Sequence, residues 1–366
     1  MELLRTSDTT PLLLSTNQGL EDITAQEFRE RARTANLPTL EVETCPDGMT
    51  GYVRVASKTD LPTILNVARR MRSIQHILAP VYAVDLAAEG EALAQIRDVL
   101  ASNDVPEMEG ASSFRVTSNR RGEHAFTSMD VMRAAGNGLV DRYGTDVDLE
   151  DYDVEVRVDV RHRRVRVGVQ HTREPLSRRH ARLYQPQAAL SPHVAYAMLR
   201  LPHLSSAPRA IVDPFCGSGT ILIEAAEEWP NIPVIGIDRS EQAVNGARMN
   251  VRADECAERI DVLQGDARSL RDVLPDMEVD LIVTNPPFGK RIGESLSLHQ
   301  FYADILEEFH HVLAPGGWLV ILVLDPGTFS GAMQSVKDDT GIAFDVRHVR
   351  RIHTGGLHPR VFVMQK

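Results

Sequence analysis

This 366-residue sequence predicts an α+β region followed by an α/β domain built on a largely parallel sheet. Three observations lead there. In the second half, short and nearly continuous apolar runs alternate with helical patterns, the signature of βαβ units. In the first half, strands of alternating polarity mix with helices. A break near Ser177–Pro186 separates the two halves. With 43% hydrophobic and 25% charged residues the composition is ordinary for a globular chain, and the length allows about two to three domains.

The elements follow in order. Residues 11–16 (PLLLST) read as a strand, 21–33 as a helix and 51–57 (GYVRVAS) as a second strand. Ile64, Leu65, Ala68, Met71, Ile74, Gln75 and Leu78 lie near helical spacing, so the pattern predicts one long helix over 61–78. A helix near 89–100 and a strand at 113–117 come next. Ser128 can cap a further helix that carries Asp130 in its first turn. Val154, Val156, Val158 and Val160, then Val165, Val167 and Val169, alternate with polar residues on either side of a turn near 161–164. They form a hairpin with one buried face and with Arg157, Arg161, Arg164 and Arg166 pointing outward. In the second half, 186–201 reads as a helix. Strands are expected at 210–212, 234–237, 281–284 and 318–324, with helices at 220–228, 241–253 and 299–313 between them. Phe301, Ile305, Phe309 and Val312 share one face of the last helix, which Pro315-Gly316-Gly317 ends.

Charge is unevenly placed. The formal net charge of −11 argues against a uniformly basic nucleic-acid coat. Residues 157–182 nevertheless hold nine arginines against Asp159 and Glu174, a net +7 on an acidic remainder of −18. That block is either a localised anion-binding surface or a solvated strand face. No apolar run reaches the ~18 residues of a membrane span, and the N-terminus does not read as a signal peptide. Cys45, Cys216 and Cys256 are far apart and form no CxxC pair, so a reducing cytoplasm is expected, and the histidines lack the spacing of a zinc site.

The chemistry concentrates at the ends of the second-half strands. Asp213-Pro214-Phe215-Cys216-Gly217-Ser218-Gly219-Thr220 follows an apolar strand and opens a helix. Its small residues let the backbone approach a ligand, and the helix start offers N–H groups. The segment lacks the lysine of GxxxxGK[ST] and also lacks GxGxxG, which disfavours a triphosphate cradle or a nicotinamide oxidoreductase. Asp238 ends the next strand, 19 residues after Gly219, where a carboxylate can accept the hydroxyls of a ribose. Asp266 stands where a third strand ends and can reach an adenine amino group. Either acid alone reads equally well as a helix cap; three acids in register favour a nucleoside site. Asn285-Pro286-Pro287-Phe288 follows the fourth strand. The prolines fix the backbone, the Asn285 side-chain oxygen and the Pro286 carbonyl can accept both hydrogens of an exocyclic amine, and Phe288 offers a stacking face.

On these motifs residues 186–366 resemble a class I S-adenosylmethionine-dependent methyltransferase of the amino-methylating group. Residues 113–160 with 165–184 resemble a THUMP RNA-binding domain, and the segment before them resembles a ferredoxin-like module. The resemblance implies three domains: 1–80 ferredoxin-like, 81–178 THUMP, and 179–366 a Rossmann-like methyltransferase with 179–190 as linker. It also implies a seven-stranded sheet whose last, antiparallel strand fits Arg360–Met364. The order of modules is similar to that of the tRNA guanine-N2-methyltransferases acting at position 6 of the acceptor stem. S-adenosyl-L-methionine is then the methyl donor, held by Asp213, Pro214, Cys216, Gly217, Ser218, Gly219, Thr220, Asp238, Arg239, Asp266, Ala267 and Asn285. Asn285, Pro286, Pro287 and Phe288 form the catalytic turn, at which a flipped guanine is expected. The expected partner is tRNA, gripped at its 3′ end. Arg161, Arg163, Arg164, Arg178, Arg179 and Arg182, with Lys290 and Arg291 after the turn, are the expected RNA contacts. A cytoplasmic monomer without metal or membrane is expected. Phe288 stands where tyrosine is commoner in such enzymes, which removes a hydroxyl and keeps the ring. The alternatives are a 23S ribosomal-RNA guanine-N2-methyltransferase, a DNA adenine-N6 enzyme, and a non-catalytic RNA-binding factor with a vestigial methyltransferase fold. The Gly-rich loop 353–359 is a candidate wall of the base pocket.

Overall fold

The computed structural model describes residues 1–6, 9–87, 89–186, 189–275, 277–287 and 297–366. The chain divides into two compact units, one of residues 1–16 and 24–176, the other of residues 17–23 and 177–366. None of the described helices is long and apolar enough to cross a membrane.

The first unit is built on a sheet whose main path runs Thr39–Thr44, Tyr52–Ser57, Thr10–Ser15, Ile77–Asp85, Arg164–Gln170, Val154–Arg161, Ser113–Thr117, Asp146–Val147. The valine hairpin forms as its alternation predicts: Val158 pairs with Val167, and all seven valines are buried in one core. The domain boundary expected at 80/81 falls inside the strand Ile77–Asp85, which pairs on one side with Thr10–Ser15 and on the other with the hairpin.

That strand also corrects the long helix expected over 61–78. The helix covers only Leu61–Ala68, capped by Asp60 through Thr63 N–H. The chain then turns because the buried Glu27 carboxylate captures the N–H groups of Arg72 and Ser73, at 2.8 and 2.9 Å, together with the Ser73 hydroxyl at 2.6 Å. Met71, Ile74 and Leu78 are buried as the pattern requires and Gln75 is half-buried, but in a turn and a strand. The helix Ser128–Tyr143 is capped one residue earlier than expected. Thr127 and Asp130 form a reciprocal capping box, which leaves Ser128 inside the helix.

The second unit carries seven strands among its described residues, in the order Ile260–Gln264, Val234–Asp238, Ile211–Asp213, Val279–Thr284, Leu313–Val323, Arg360–Gln365, Asp345–Arg351. The first five run parallel; Arg360–Gln365 is antiparallel to both neighbours. Ile211, Leu281 and Val283 enter one core, Val212 and Ile282 the other. Both faces of the sheet are thus covered, which is why these strands read as unbroken apolar runs. The helix expected over 186–201 is shorter, Pro192–Arg200, and begins at a proline in its first turn. The polar edge strand Asp345–Arg351 and the helix Pro326–Thr340 were not anticipated from the pattern.

Residues 17–23 belong to this second unit although they lie far from it in sequence. Leu20 and Ile23 are buried in its first core. The Asn17 side chain meets His193 Nε2 at 2.7 Å and donates to the His353 carbonyl at 2.8 Å, and His353 N–H donates to the Gln18 carbonyl. Burial holds the His193 imidazole down at about 3, so it is neutral at ordinary pH.

Candidate functional site

Parallel strands bring their carboxyl ends to one edge. Asp213 and Asp238 are the last residues of adjacent strands, and Asn285 directly follows Thr284 on the strand at the other side of Asp213. The strand order reverses at Ile211–Asp213, the place where open α/β sheets bind ligands. A cavity of about 710 Å³ lies there. The expected cofactor residues lining it are Asp213, Pro214, Cys216, Gly217, Ser218, Thr220, Asp238, Arg239, Asp266, Ala267 and Asn285, with Pro286 and Pro287 of the expected catalytic turn. Gly219 is not part of the lining and caps the following helix at φ +81°. Phe288, Lys290 and Arg291 lie outside the described residues.

The loop after Asp213 is held by main-chain bonds. Gly217, at φ +52°, donates its N–H to Asp238 Oδ2 at 3.0 Å, and Cys216 N–H donates to the Ile237 carbonyl at 2.9 Å. Among the described residues no side chain caps the amino end of Thr220–Glu228. Burial raises the Cys216 thiol pKa well above its usual range, so it stays protonated and acts as a small core residue.

The three acids behave differently. Asp238 also accepts Ser240 N–H at 2.9 Å, so each of its oxygens holds one backbone donor and keeps a lone pair for a ligand. Asp266 caps the short turn Ala267–Ser269 and is clamped by Arg268, whose Nη2 lies 2.6 Å from Oδ2; this pairing lowers its pKa. The capping interpretation weighed for Asp266 therefore applies to it, beside its place in the cavity wall. Asp213 is fully buried, which pushes its pKa up to about 7 against the hydrogen bonds from Thr284 Oγ1 (2.7 Å) and Phe215 N–H (3.1 Å), with the Asp238 charge adding to the rise. Both donors reach the same oxygen, Oδ1, which leaves Oδ2 to carry the proton.

A pH dependence follows. An acid whose native pKa lies above its unfolded value of 3.8 contributes stability that is complete below about pH 4 and is lost as pH rises through 7. Asparagine reproduces the protonated form, because its oxygen can take both donors and its amide nitrogen replaces the hydroxyl. Thermal melts of wild type and Asp213→Asn between pH 5 and 8 are expected to diverge, with the wild type losing more as pH rises. Parallel curves would refute this assignment.

Asn285 is the most telling member. Its Oδ1 is buried without a hydrogen-bond partner among the described residues, in a side chain that lines the cavity. A buried acceptor left unmet costs about 1–3 kcal/mol, so the site is shaped for a donor that a ligand brings. The donor set, an amide oxygen next to two prolines with a ribose-competent carboxylate across the cavity, fits an adenosyl methyl donor and an amine.

The basic block is more neutralised than its sequence suggests. Arg157 pairs with Asp159, Arg164 with Glu2 and Asp85, Arg166 with Asp47, and Arg173 with Asp151. Arg161 and Arg163 instead donate to the carbonyls of Gly48 and Leu86, which leaves their charge uncompensated among the described residues. Asp47 and Gly48 thereby cover part of the hairpin face that the pattern turns outward. Arg178, Arg179 and Arg182 belong to the second unit. Arg179 bonds the fully buried Glu224 at 2.5 Å, and His180 meets the same oxygen at 2.6 Å. His180, Glu224 and Glu227 have the spacing of a metal set, but Arg179 already supplies the positive charge that Glu224 needs.

Pattern reading missed several lining residues, among them Tyr184 and Phe301. Phe301 is read as a core residue from its helical face; it is buried, and it also lines the cavity beside Phe215, with ring centroids 5.7 Å apart. The loop 353–359 does not line the cavity.

Comparison with known proteins agrees with this architecture. Residues 179–360 match the family described as RMKL-like, methyltransferase domain, and residues 91–170 match the THUMP domain. A tRNA (guanine(6)-N2)-methyltransferase of Thermus thermophilus is 40% identical over 262 residues, 71% of this chain and 75% of that protein. The tRNA (guanine(6)-N(2))-methyltransferase THUMP3 of Mus musculus is 33% identical over 76% of this chain, and the match spans only 56% of its own length. The crystal structure of TrmN from Thermus thermophilus superposes with a TM-score of 0.80 at 35% identity, covering 98% of this chain and 99% of that one. The crystal structure of SMU.472 complexed with SAH superposes with a TM-score of 0.73 at 18% identity, a likeness of fold alone.

Proposed function

Since the chain belongs to the family of THUMP-containing tRNA (guanine(6)-N2)-methyltransferases, we propose that it methylates the exocyclic N2 of a guanine in tRNA at position 6 of the acceptor stem, with S-adenosyl-L-methionine as donor. The observation that carries this reading is the buried, unpartnered Oδ1 of Asn285 on a cavity bounded by the Asp213–Ser218 loop and Asp238.

Bound there, the donor supplies a methyl group on a sulfonium, which makes the transfer intrinsically easy. The residues of the chain then need only orient and desolvate. Asp238 accepts the ribose hydroxyls, and the Ala267 main chain meets the adenine edge. Asn285 Oδ1 and the Pro286 carbonyl accept the two hydrogens of the guanine amine. That bonding draws the nitrogen lone pair out of conjugation and aims it at the methyl carbon, an effect of positioning. Pro286 and Pro287 cannot donate and hold the turn rigid. The amine loses its proton after transfer, so no strong base is required. On the RNA side, Arg161 and Arg163 are the phosphate contacts of the first unit, and Arg178 and Arg182 those of the second, Arg179 being committed to the buried Glu224. Phe288 stacks on the flipped base, and Lys290 and Arg291 hold its backbone.

The reading is tested by incubating the protein with S-adenosylmethionine and tRNA, digesting the RNA and identifying the product by mass spectrometry. N2-methylguanosine, lost when the guanine at position 6 is replaced, is expected. N6-methyladenosine, or the same product from ribosomal RNA alone, would overturn it.

A further inference from the structure

Tyr184 lies in the expected linker 179–190, and none of the strand-end motifs gives it a role. Its backbone is fixed by one side chain: Tyr184 N–H donates to Asn250 Oδ1 at 3.0 Å, and Asn250 Nδ2 donates back to the Tyr184 carbonyl at 2.8 Å. The same Nδ2 donates to the Ser218 carbonyl at 2.9 Å, so a single buried amide joins the Tyr184 segment to the Gly-rich loop of the cavity. The ring is equally constrained. It packs against Gly246, where a β-carbon would come within 2.1 Å of Cδ1 and 2.2 Å of Cγ. Gly246 sits inside the helix Glu241–Ala253, where glycine costs about 1 kcal/mol relative to alanine. The space that the missing side chain leaves is filled by this ring. The ring itself is only half-buried and lines the cavity together with Gln242 and Ala243 of that helix.

A tyrosine needed only for packing would be enclosed; this one is wedged from behind and open in front. We propose that Tyr184 contacts the bound adenosyl methyl donor, and that Asn250 and Gly246 are positioning residues that hold its ring against the cavity. The inference rests on the assignment of this cavity to that donor. It adds a residue outside the strand-end motifs, brought to the site by the segment that enters the second unit. An aromatic face against the donor contributes through area and shape, so phenylalanine should serve as well as tyrosine.

Calorimetric binding of S-adenosylhomocysteine to the full chain tests this. Tyr184→Ala is expected to weaken binding about tenfold, roughly 1.4 kcal/mol, and Tyr184→Phe to stay within about twofold. Gly246→Ala, which displaces the ring without removing it, is expected to weaken binding to a similar degree and to add little in the Tyr184→Ala background, as residues acting through one contact do. The KM for the methyl donor rises accordingly while the KM for tRNA holds. Wild-type affinity in a folded Tyr184→Ala protein, or a lowered melting temperature with unchanged affinity, overturns the inference. If Tyr184→Ala is not recovered folded, Gly246→Ala decides in the same terms. Absence of binding by the wild-type chain would instead overturn the assignment of the cavity itself.

Discussion

Asn285→Ala is expected to lower the rate of methyl transfer to tRNA by about 10²–10³-fold, the usual cost of losing one preorganised hydrogen-bonding group at a reacting centre. S-adenosylhomocysteine affinity is expected to stay within a few-fold of wild type. The separation follows from the geometry. On the proposed reading Asp238 offers its two oxygens to the ribose and Ala267 its main chain to the adenine, whereas Asn285 Oδ1 has no hydrogen-bond partner among the described residues. Truncating it removes the acceptor that turns the amine, and it relieves a buried unmet oxygen, so the protein should lose no stability. Single-turnover transfer of a tritiated methyl group to tRNA, with calorimetry on the same sample, measures both quantities. Transfer near the wild-type rate would sink the role given to Asn285.

Glu27→Ala is expected to be the most damaging single change in the first unit. Its carboxylate is 2% exposed and accepts Arg72 N–H, Ser73 N–H, the Ser73 hydroxyl and Arg31 Nε, the last at 2.7 Å. Removing it leaves buried donors without an acceptor, at a cost of about 3–5 kcal/mol. Glu27→Gln should fare little better, since its amide nitrogen would face a backbone N–H whichever way it is turned. Denaturant unfolding of the full chain, with hydrogen exchange at the amides of Arg72 and Ser73, reads the effect. Exchange protection unchanged at those two amides would contradict it.

The same carboxylate explains where pattern reading stopped. Residues 71, 74, 75 and 78 continue the helical spacing of 64, 65 and 68, and nothing local says that Glu27, 45 residues upstream, ends the helix. In the second unit the sheet was legible because parallel strands buried on both faces spell continuous apolar runs, and the polar residue that ends each run falls at the carboxyl edge. Asp213, Asp238 and Asn285 were found that way. Tyr184 and Phe301 reach the cavity from a loop and a helix face whose spacing spells only core or linker. The strand Asp345–Arg351 was hidden because it is an edge, rich in arginine, with a register shift between Val346 and His348 that breaks its alternation. The basic block was visible as composition, but its ion-pair partners, such as Glu2 and Asp47, are too distant in sequence to be paired by eye.

The junction of residues 17–23 with His193 and His353 has a consequence for biosynthesis. A ribosome exposes Leu20 and Ile23 early, yet their resting place closes only once the last strands have been made, since Asn17 and His353 stand 336 positions apart. Between those two points of synthesis the two side chains stay unshielded, the kind of transiently exposed apolar surface that is prone to aggregate. Their burial thus waits on residues made 336 positions later.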